Sequence, residues 1–499
     1  MKRHSYDIVI IGSGAGGGTV AQELSSLCRD GVRVAVLEKG PKLRDNEFTG
    51  REVEMAKALY EDGGGVLTAE QTMTLAFGSA YGGSTVVYTG TSLLPPERVL
   101  QRWSVPGLTF ADVEQRARKY MAENNVHLLD EALLNENNRL FVEGCQRLHY
   151  RVQQFPVNLK GCRGSSLCNL GCPNQAKQGT HRVQLPQAER NGVEVVTRCD
   201  VLRIEDKKVF ARVSERPKDG KGEPSAWEPG EHQIDVKLVV VCAGAVNSPA
   251  LLLRSGFGRS LPRLGHGFTC HPAIIMVAEH DFVGHPKSFY LDQFAESDHF
   301  LLETCMYFPF TTAKATAGFG EEHNRMMRAF PRLQMILVLA CDEVDDHNRV
   351  TVDGDGRPVV HYRFTPEVIR GLVHGAITSA KISFAAGAVR AHVPVSHFPT
   401  IERADVDRLD QIAKNPEFKP GKLSISAAHL QGGCAMGSGP ENSVTGSYGR
   451  VHVVPSVRHG RAASASPSKY RNHPYRRPFL ARGREVRSSH RGIRMCRTA

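Results

Sequence analysis

The run Gly12-Ser13-Gly14-Ala15-Gly16-Gly17 has the residue types and spacing to hold a pyrophosphate. Gly12 permits a tight turn, Gly14 lets backbone approach the phosphates, and Gly17 lets a helix lie against a strand. The N-terminus of that helix would offer unpaired N–H groups to the anion. Glu38 stands where an acidic side chain accepts the ribose 2′-hydroxyl, and a carboxylate there disfavours a 2′-phosphate. The elements that must position these residues are legible nearby. The apolar residues 6–11 predict a strand, Val20, Leu24 and Leu27 share one face of a helix that stops at Asp30-Gly31, and residues 33–37 predict a second strand. Strand, glycine turn, helix, strand and terminal acid together indicate a dinucleotide site, without separating FAD from NAD.

A second constellation lies at Cys162, Cys168 and Cys172, the last followed by Pro173. It echoes the closely spaced cysteines of an iron-sulfur run, but Ser165 occupies a slot where a fourth thiolate would stand. Three soft ligands could still hold an incomplete cluster or a metal; buried structural thiols are the simpler account, and no metal is assigned.

Further along, Phe77-Gly78-Ser79-Ala80-Tyr81-Gly82-Gly83-Ser84-Thr85 is another glycine-rich stretch. The apolar residues 239–241 lead through Cys242-Ala243-Gly244 into Ala245-Val246-Asn247-Ser248-Pro249, with Ser248-Pro249 suited to a helix start. A third segment reads Ser426-Ala427-Ala428-His429-Leu430-Gln431-Gly432-Gly433-Cys434-Ala435-Met436-Gly437. Together these resemble the glucose-methanol-choline (GMC) family of FAD-dependent oxidoreductases, in its cholesterol oxidase-like or long-chain alcohol oxidase-like branch. The Gly-Gly-Ser stretch resembles the family's flavin segment, and residues 243–258 its Gly-Ala-x-x-Ser-Pro signature, with Phe257 replacing the usual aliphatic residue. The His429 run resembles the family's catalytic histidine segment. Arg198-Cys199-Asp200-Val201 resembles its adenine-contacting strand, and Tyr88 stands where relatives often carry Asn or His.

The resemblance implies FAD as cofactor, bound through Gly12, Gly14, Gly17, Glu38, Gly82, Gly83, Ser84, Val201, Ala243 and Gly244, with His429 as the catalytic residue. It implies oxidation of an alcohol (a CH-OH donor) to an aldehyde or ketone. A neutral imidazole takes the hydroxyl proton while the adjacent carbon passes a hydride to flavin N5. A small-molecule alcohol is the expected partner; oxygen, a quinone or a cytochrome remains open as electron acceptor.

The expected fold class is α/β: a Rossmann-like FAD-binding domain with a second, α+β substrate domain built on an antiparallel sheet. At 499 residues two or three units are expected. Residues 1–272 are assigned to the FAD domain, with a cofactor lid at about 100–190, residues 273–420 to the substrate domain, and 421–455 to a return to the FAD domain carrying His429. Within 273–420, residues 335–340 read as a strand, Asp353-Gly354-Asp355-Gly356 as a hairpin turn and Thr365-Pro366-Glu367 as a helix opening; residues 215–230 read as an exposed hairpin loop. The N-terminus lacks the apolar region of a signal peptide, and no segment approaches the roughly 18 apolar residues of a membrane span, so a cytoplasmic protein is expected.

The formal net charge of +11 lies entirely in residues 456–499, which hold eleven Arg, one Lys and one Glu. A neutral body argues against nucleic acid as partner. Beyond Pro455 the chain turns Arg-rich and aperiodic where the family continues with a strand, an Asp-Gly or Asp-Ala turn and a second catalytic residue. Asn472-His473-Pro474 supplies the residue types without the flanking elements and is given no catalytic role. Reading residues 457–462 one base later permits Tyr-Val-Thr-Asp-Gly, so 456–499 is expected to be a disordered or frame-shifted tail. The alternative function is then a catalytically impaired flavin-binding remnant.

Overall fold

The computed structural model describes residues 1–281, 289–291, 299–395, 400–452 and 492–495, the short pieces 289–291 and 492–495 by their backbone. Two sheets organise it. In the first, strands run in the order Glu194–Val196, Val34–Leu37, Lys2–Ile11, Gly230–Val241, Lys208–Val213, Cys199–Glu205. The first four are parallel and the last two join antiparallel. Residues 8–11 are buried throughout because a parallel sheet is covered on both faces, which is why they read as an unbroken apolar run. The helix Ala15–Leu24 crosses from Lys2–Ile11 to Val34–Leu37, giving the expected Rossmann-like unit.

The second sheet is antiparallel through its centre: Ala273–Glu279 pairs with Leu333–Ala340, and that strand with Phe300–Thr304. All eight residues of Leu333–Ala340 are buried. The helix Pro366–Ala385 lies on this sheet, opened by Pro366 at its first turn and by the Thr365 hydroxyl, which accepts from Val368 N. Gly375 brings it close, since a Cβ there would stand 2.3 Å from Val338 Cγ1. The Asp353–Gly356 turn joins Arg349–Val352 to Pro358–His361 as a hairpin.

Three expectations are corrected. First, the substrate unit is not confined to 273–420. Its sheet takes in Val66–Leu67, Thr74–Leu75 and Val152–Gln154, and Phe141 and Cys145 of the helix Glu136–Arg147 sit in its core. Residues 1–272 thus contribute to both sheets; within 100–190 the helix Phe110–Glu123 borders the cavity and is tied to Ala15–Leu24 by Tyr120 Oη donating to Glu23. Second, the helix after Gly230–Val241 begins at Gly244, so Ser248-Pro249 lies inside Gly244–Arg254 and not at its start. Pro249 is accommodated where Gly433 leaves room beside its ring. Third, within 456–499, expected to be disordered or frame-shifted, residues Gly492–Met495 form a strand parallel to residues 238–241 and so are not disordered; residues 453–491 and 496–499 lie outside the described residues.

Ser426–Ala427 joins the substrate sheet between Thr74–Leu75 and Ala273–Glu279. The chain then crosses to the other unit, where Val444 and Val451 are buried in the core formed by the dinucleotide sheet. Among the described residues no helix is long and apolar enough to cross a membrane.

Candidate active site and dinucleotide cleft

Gly12 adopts φ +95°, and a Cβ there would meet the Cys242 carbonyl oxygen at 2.5 Å. A Cβ on Gly17 would fall 1.9 Å from the Gly12 carbonyl oxygen, so helix and strand touch backbone to backbone. Gly14 differs: its nearest neighbour would be Gly83 Cα at 3.8 Å, which leaves bare backbone facing the cleft. The helix Ala15–Leu24 has Gly14 at its N-cap and no side-chain cap, so its first-turn N–H groups lack an internal partner and suit a phosphate.

Glu38 ends the second strand and lines the cleft at 5 % exposure. Its Oε2 accepts from Ser13 N (2.9 Å) and Ser13 Oγ (2.6 Å), and its Oε1 from Gly40 N (2.8 Å). Burial pushes its pKa above the usual carboxylate range, against the pull of these donors. Ser13 Oγ also accepts from Gly82 N at 2.9 Å, so Glu38 and Ser13 tie the first glycine turn to the second. There Gly82 and Gly83 take φ +102° and +53°, and a Cβ on Gly83 would stand 2.7 Å from Gly14 Cα. Ser84 Oγ accepts from Gly78 N, closing the same loop.

These loops border a continuous cavity of ≈ 2720 Å³. Ligand pockets commonly span about 300–1,000 Å³, so this space exceeds a single small substrate and admits a dinucleotide beside one. Gly12, Gly14, Glu38, Gly83, Ser84, Val201, Ala243, Gly244 and His429 all line it. Gly17 and Gly82 stand behind the wall and shape it. The bare Gly14 backbone, the uncapped helix and the buried carboxylate fit a dinucleotide cofactor.

At the other end His429 shares the cavity with Phe77, Tyr88, Asn247 and His271. The rings of His271 and His429 meet edge to face with centroids 6.0 Å apart. His271 Nδ1 lies 3.2 Å from Asp342 Oδ1. Asp342, its side chain 2 % exposed, also accepts from Cys270 N, His271 N and Tyr362 Oη. Burial draws the His271 pKa down, but Asp342 outweighs it and the net shift is upward. Neither His271 nor Asp342 was singled out by sequence; the motif-bearing neighbours of His271 gave it no periodic or spacing signal.

Tyr88 is half-buried, and desolvation of its hydroxyl pushes the pKa up to about 12. Beneath it the Lys177 ammonium donates to the carbonyls of Tyr88 (2.6 Å) and Cys168 (2.5 Å), and burial lowers its pKa to about 8. In the cysteine run, Cys162 Sγ accepts from Gly164 N and Cys172 Sγ from Ala176 N. Among the described residues no three His, Cys, Asp or Glu side chains converge as metal ligands.

A nucleotide-binding sheet of Rossmann type, with a cavity that runs from its glycine turns to His429 and His271, defines a dinucleotide-binding fold beside a second, antiparallel unit. The chain belongs to the GMC oxidoreductase family: the N-terminal family model, described as GMC oxidoreductase, matches residues 56–273, and the C-terminal one matches 345–475. The second match runs past Pro455, where the resemblance seemed to end, into residues outside those described. An uncharacterized GMC-type oxidoreductase of Mycobacterium tuberculosis is 31% identical over 90% of this chain and 70% of its own length. A long-chain-alcohol oxidase of Arabidopsis thaliana is 30% identical over 55% of this chain and 37% of its own. Among solved structures, formate oxidase of Aspergillus oryzae RIB40 superposes with TM-score 0.63 at 13% identity, covering 90% of this chain and 92% of that one. Pyridoxine 4-oxidase superposes with TM-score 0.61 at 16% identity, covering 89% and 92%. The protein is an FAD-binding flavoprotein of this family, and its oxidoreductase chemistry is flavin-dependent.

Proposed function

We propose that the chain oxidises an alcohol to an aldehyde or ketone, with His429 as the base and Gly12, Gly14, Gly17, Glu38, Gly82, Gly83, Ser84, Val201, Ala243 and Gly244 forming the FAD site. The observation that carries this is the single cavity that runs from the glycine turns to the His429 ring. FAD, when bound, supplies the two-electron acceptor. The chain's own residues do the rest. His429 receives the hydroxyl proton, which removes the electrostatic obstacle to loss of hydride from the adjacent carbon. Phe77 and Leu430 line the cavity with apolar side chains against which an alkyl chain can pack. The plant relative's activity on long-chain alcohols supports a primary alcohol with an apolar tail as the first substrate to try.

The test is to purify the full chain, confirm bound flavin by absorbance, and follow reduction of an artificial acceptor dye with a series of primary alcohols. His429→Ala is expected to lower turnover about a hundredfold or more, the scale of a positioned acid-base group, with flavin content unchanged. Equal turnover in the variant removes His429 from the mechanism. A yellow protein inert toward every alcohol would instead support the impaired-remnant reading that the tail raises.

A further inference from the structure

One buried cation stands behind the cavity wall with no carboxylate paired to it. Lys177 is 1 % exposed, and its ammonium uses two of its three donors on the carbonyls of Tyr88 and Cys168. Among the described residues no Asp or Glu forms an ion pair with it; the acidic groups that act on it are the thiols of Cys168 and Cys172. An ionised group held away from water without a counter-charge is strongly unfavourable, so a fold that retains one calls for an anion nearby. The surrounding backbone fixes where the charge sits. Lys177 pairs with Leu159 in a short antiparallel bridge, with Lys160 N donating to the Ala176 carbonyl and Gln178 N to that of Asn158. Tyr88, which Lys177 holds by its carbonyl, and Gly179 and Thr180, which follow Lys177 in the chain, line the cavity, Tyr88 at the end that holds His429. Burial lowers the Lys177 pKa to about 8, which leaves the ammonium charged at neutral pH. Burial first, and then that charge, keep the neighbouring His181 neutral.

We propose that Lys177 is the counter-charge for the reduced flavin, an ammonium set behind the cavity wall that raises the cofactor's reduction potential without touching substrate. This rests on the reading above only in placing the flavin ring at the His429 end of the cavity; it holds whichever donor supplies the electrons. A hydride is a proton with two electrons. As the donor's C–H bond breaks and the hydride bonds to the ring, a neutral oxidised ring becomes one with a single negative charge. A fixed cation stabilises that second state and leaves the first nearly untouched. Because the ammonium is already ordered and dry, no solvent has to reorganise as the charge appears. At the effective dielectric of about 20 that suits buried sites, a unit charge about 10 Å away favours such an equilibrium on the order of tenfold.

Two readouts that need no alcohol test it on the full chain saturated with FAD. One is the midpoint potential of the flavin at neutral pH, by reductive titration against a reference dye. The other is the affinity of sulfite, which adds reversibly to the oxidised ring and leaves it negatively charged. Lys177→Gln keeps an amide donor for the carbonyls and removes the charge; Lys177→Met removes both. Each is expected to weaken sulfite binding about tenfold and to lower the potential by about 30 mV, the same tenfold expressed for a two-electron couple. A purely structural clasp gives another pattern: Lys177→Met lowers flavin content and melting temperature, Lys177→Gln does so less, and neither moves the potential of the flavin that stays bound. The double variant Cys168→Ser, Cys172→Ser is expected to keep both parent values, because the flavin and not a thiolate answers the ammonium. A chain inert toward every alcohol can still show these shifts, so failure of the alcohol-oxidation reading stays separate. Parent-like potential and sulfite affinity in both Lys177 variants would overturn the proposal, as would a shift in the cysteine double variant as large as that in Lys177→Gln.

Discussion

Removing the Glu38 carboxylate should unfasten the two glycine turns from each other. In Glu38→Ala the backbone donors Ser13 N and Gly40 N lose their acceptor, and both residues are buried, Ser13 at 0 % exposure. Ser13 Oγ has an alternative acceptor in the Ala80 carbonyl at 3.4 Å, so it is left out of the reckoning. A stranded buried donor costs about 1–3 kcal/mol, which for two gives about 2–6 kcal/mol, a large share of a typical 5–15 kcal/mol stability. If only the lower figure is felt, and wholly in re-forming the turn around cofactor, FAD binds about thirtyfold more weakly. Loss of a ribose contact would add to this. The assay is titration of the apoprotein with FAD by fluorescence quenching, alongside thermal unfolding of the same apoprotein. Glu38→Gln keeps an acceptor oxygen for one side of the network and is expected to fall between. The apoprotein melt separates the two contributions, because only the stranded donors act in the absence of FAD. Wild-type FAD affinity within threefold together with an unchanged melting temperature in Glu38→Ala would refute the account.

Gly17→Ala is expected to cost about 1–3 kcal/mol or more and to lower flavin content, since its Cβ would press on the Gly12 carbonyl and no flexible side chain can yield; purified-protein absorbance ratios and melting curves check it. His181, against Gly82, has its pKa lowered to about 3 by burial first and then by Lys177 and Arg182. Its folded pKa lies below the unfolded value near 6.5. This contribution to stability is therefore complete above pH 6.5 and lost as pH falls toward 3, at up to about 1.4 kcal/mol per pH unit. Urea midpoints measured across that range should show the slope, and His181→Gln should flatten it. Truncation before Gly492 removes the strand beside residues 238–241 and is expected to lower the melting temperature; an unchanged melt would show that the edge of Gly230–Val241 needs no cover.

The dinucleotide half was readable because its information is local. Gly12, Gly14, Gly17 and Glu38 announce themselves within one strand-turn-helix-strand unit, and the helix opening at Thr365-Pro366 is likewise a short-range signal. What escaped the sequence depends on distant segments meeting. Strands of two or three residues, such as Thr74–Leu75 and Val152–Gln154, are too short to show alternation, so their membership in the substrate sheet had no pattern to carry it. Ser248-Pro249 has the chemistry of a helix start, but tertiary packing against Gly433 lets the helix run through it. His271 meets the His429 ring only through the pairing of Thr269 with Gln431, and Asp342, some seventy residues away in sequence, faces it only once Ala273–Glu279 and Leu333–Ala340 pair.

The crossing at Ser426–Ala427 bears on how such enzymes can be recombined. His429 follows a strand owned by one unit and precedes a strap, through Val444 and Val451, anchored in the other; Thr74–Leu75 and Val152–Gln154 are seams of the same kind. A chimaera that exchanges residues 273–420 alone would import a sheet whose neighbouring strands come from the host, with side chains shaped for a different partner face. Successful grafts should therefore carry at least the 66–75, 136–154 and 426–433 pieces together, and crossover points that survive shuffling should cluster outside them.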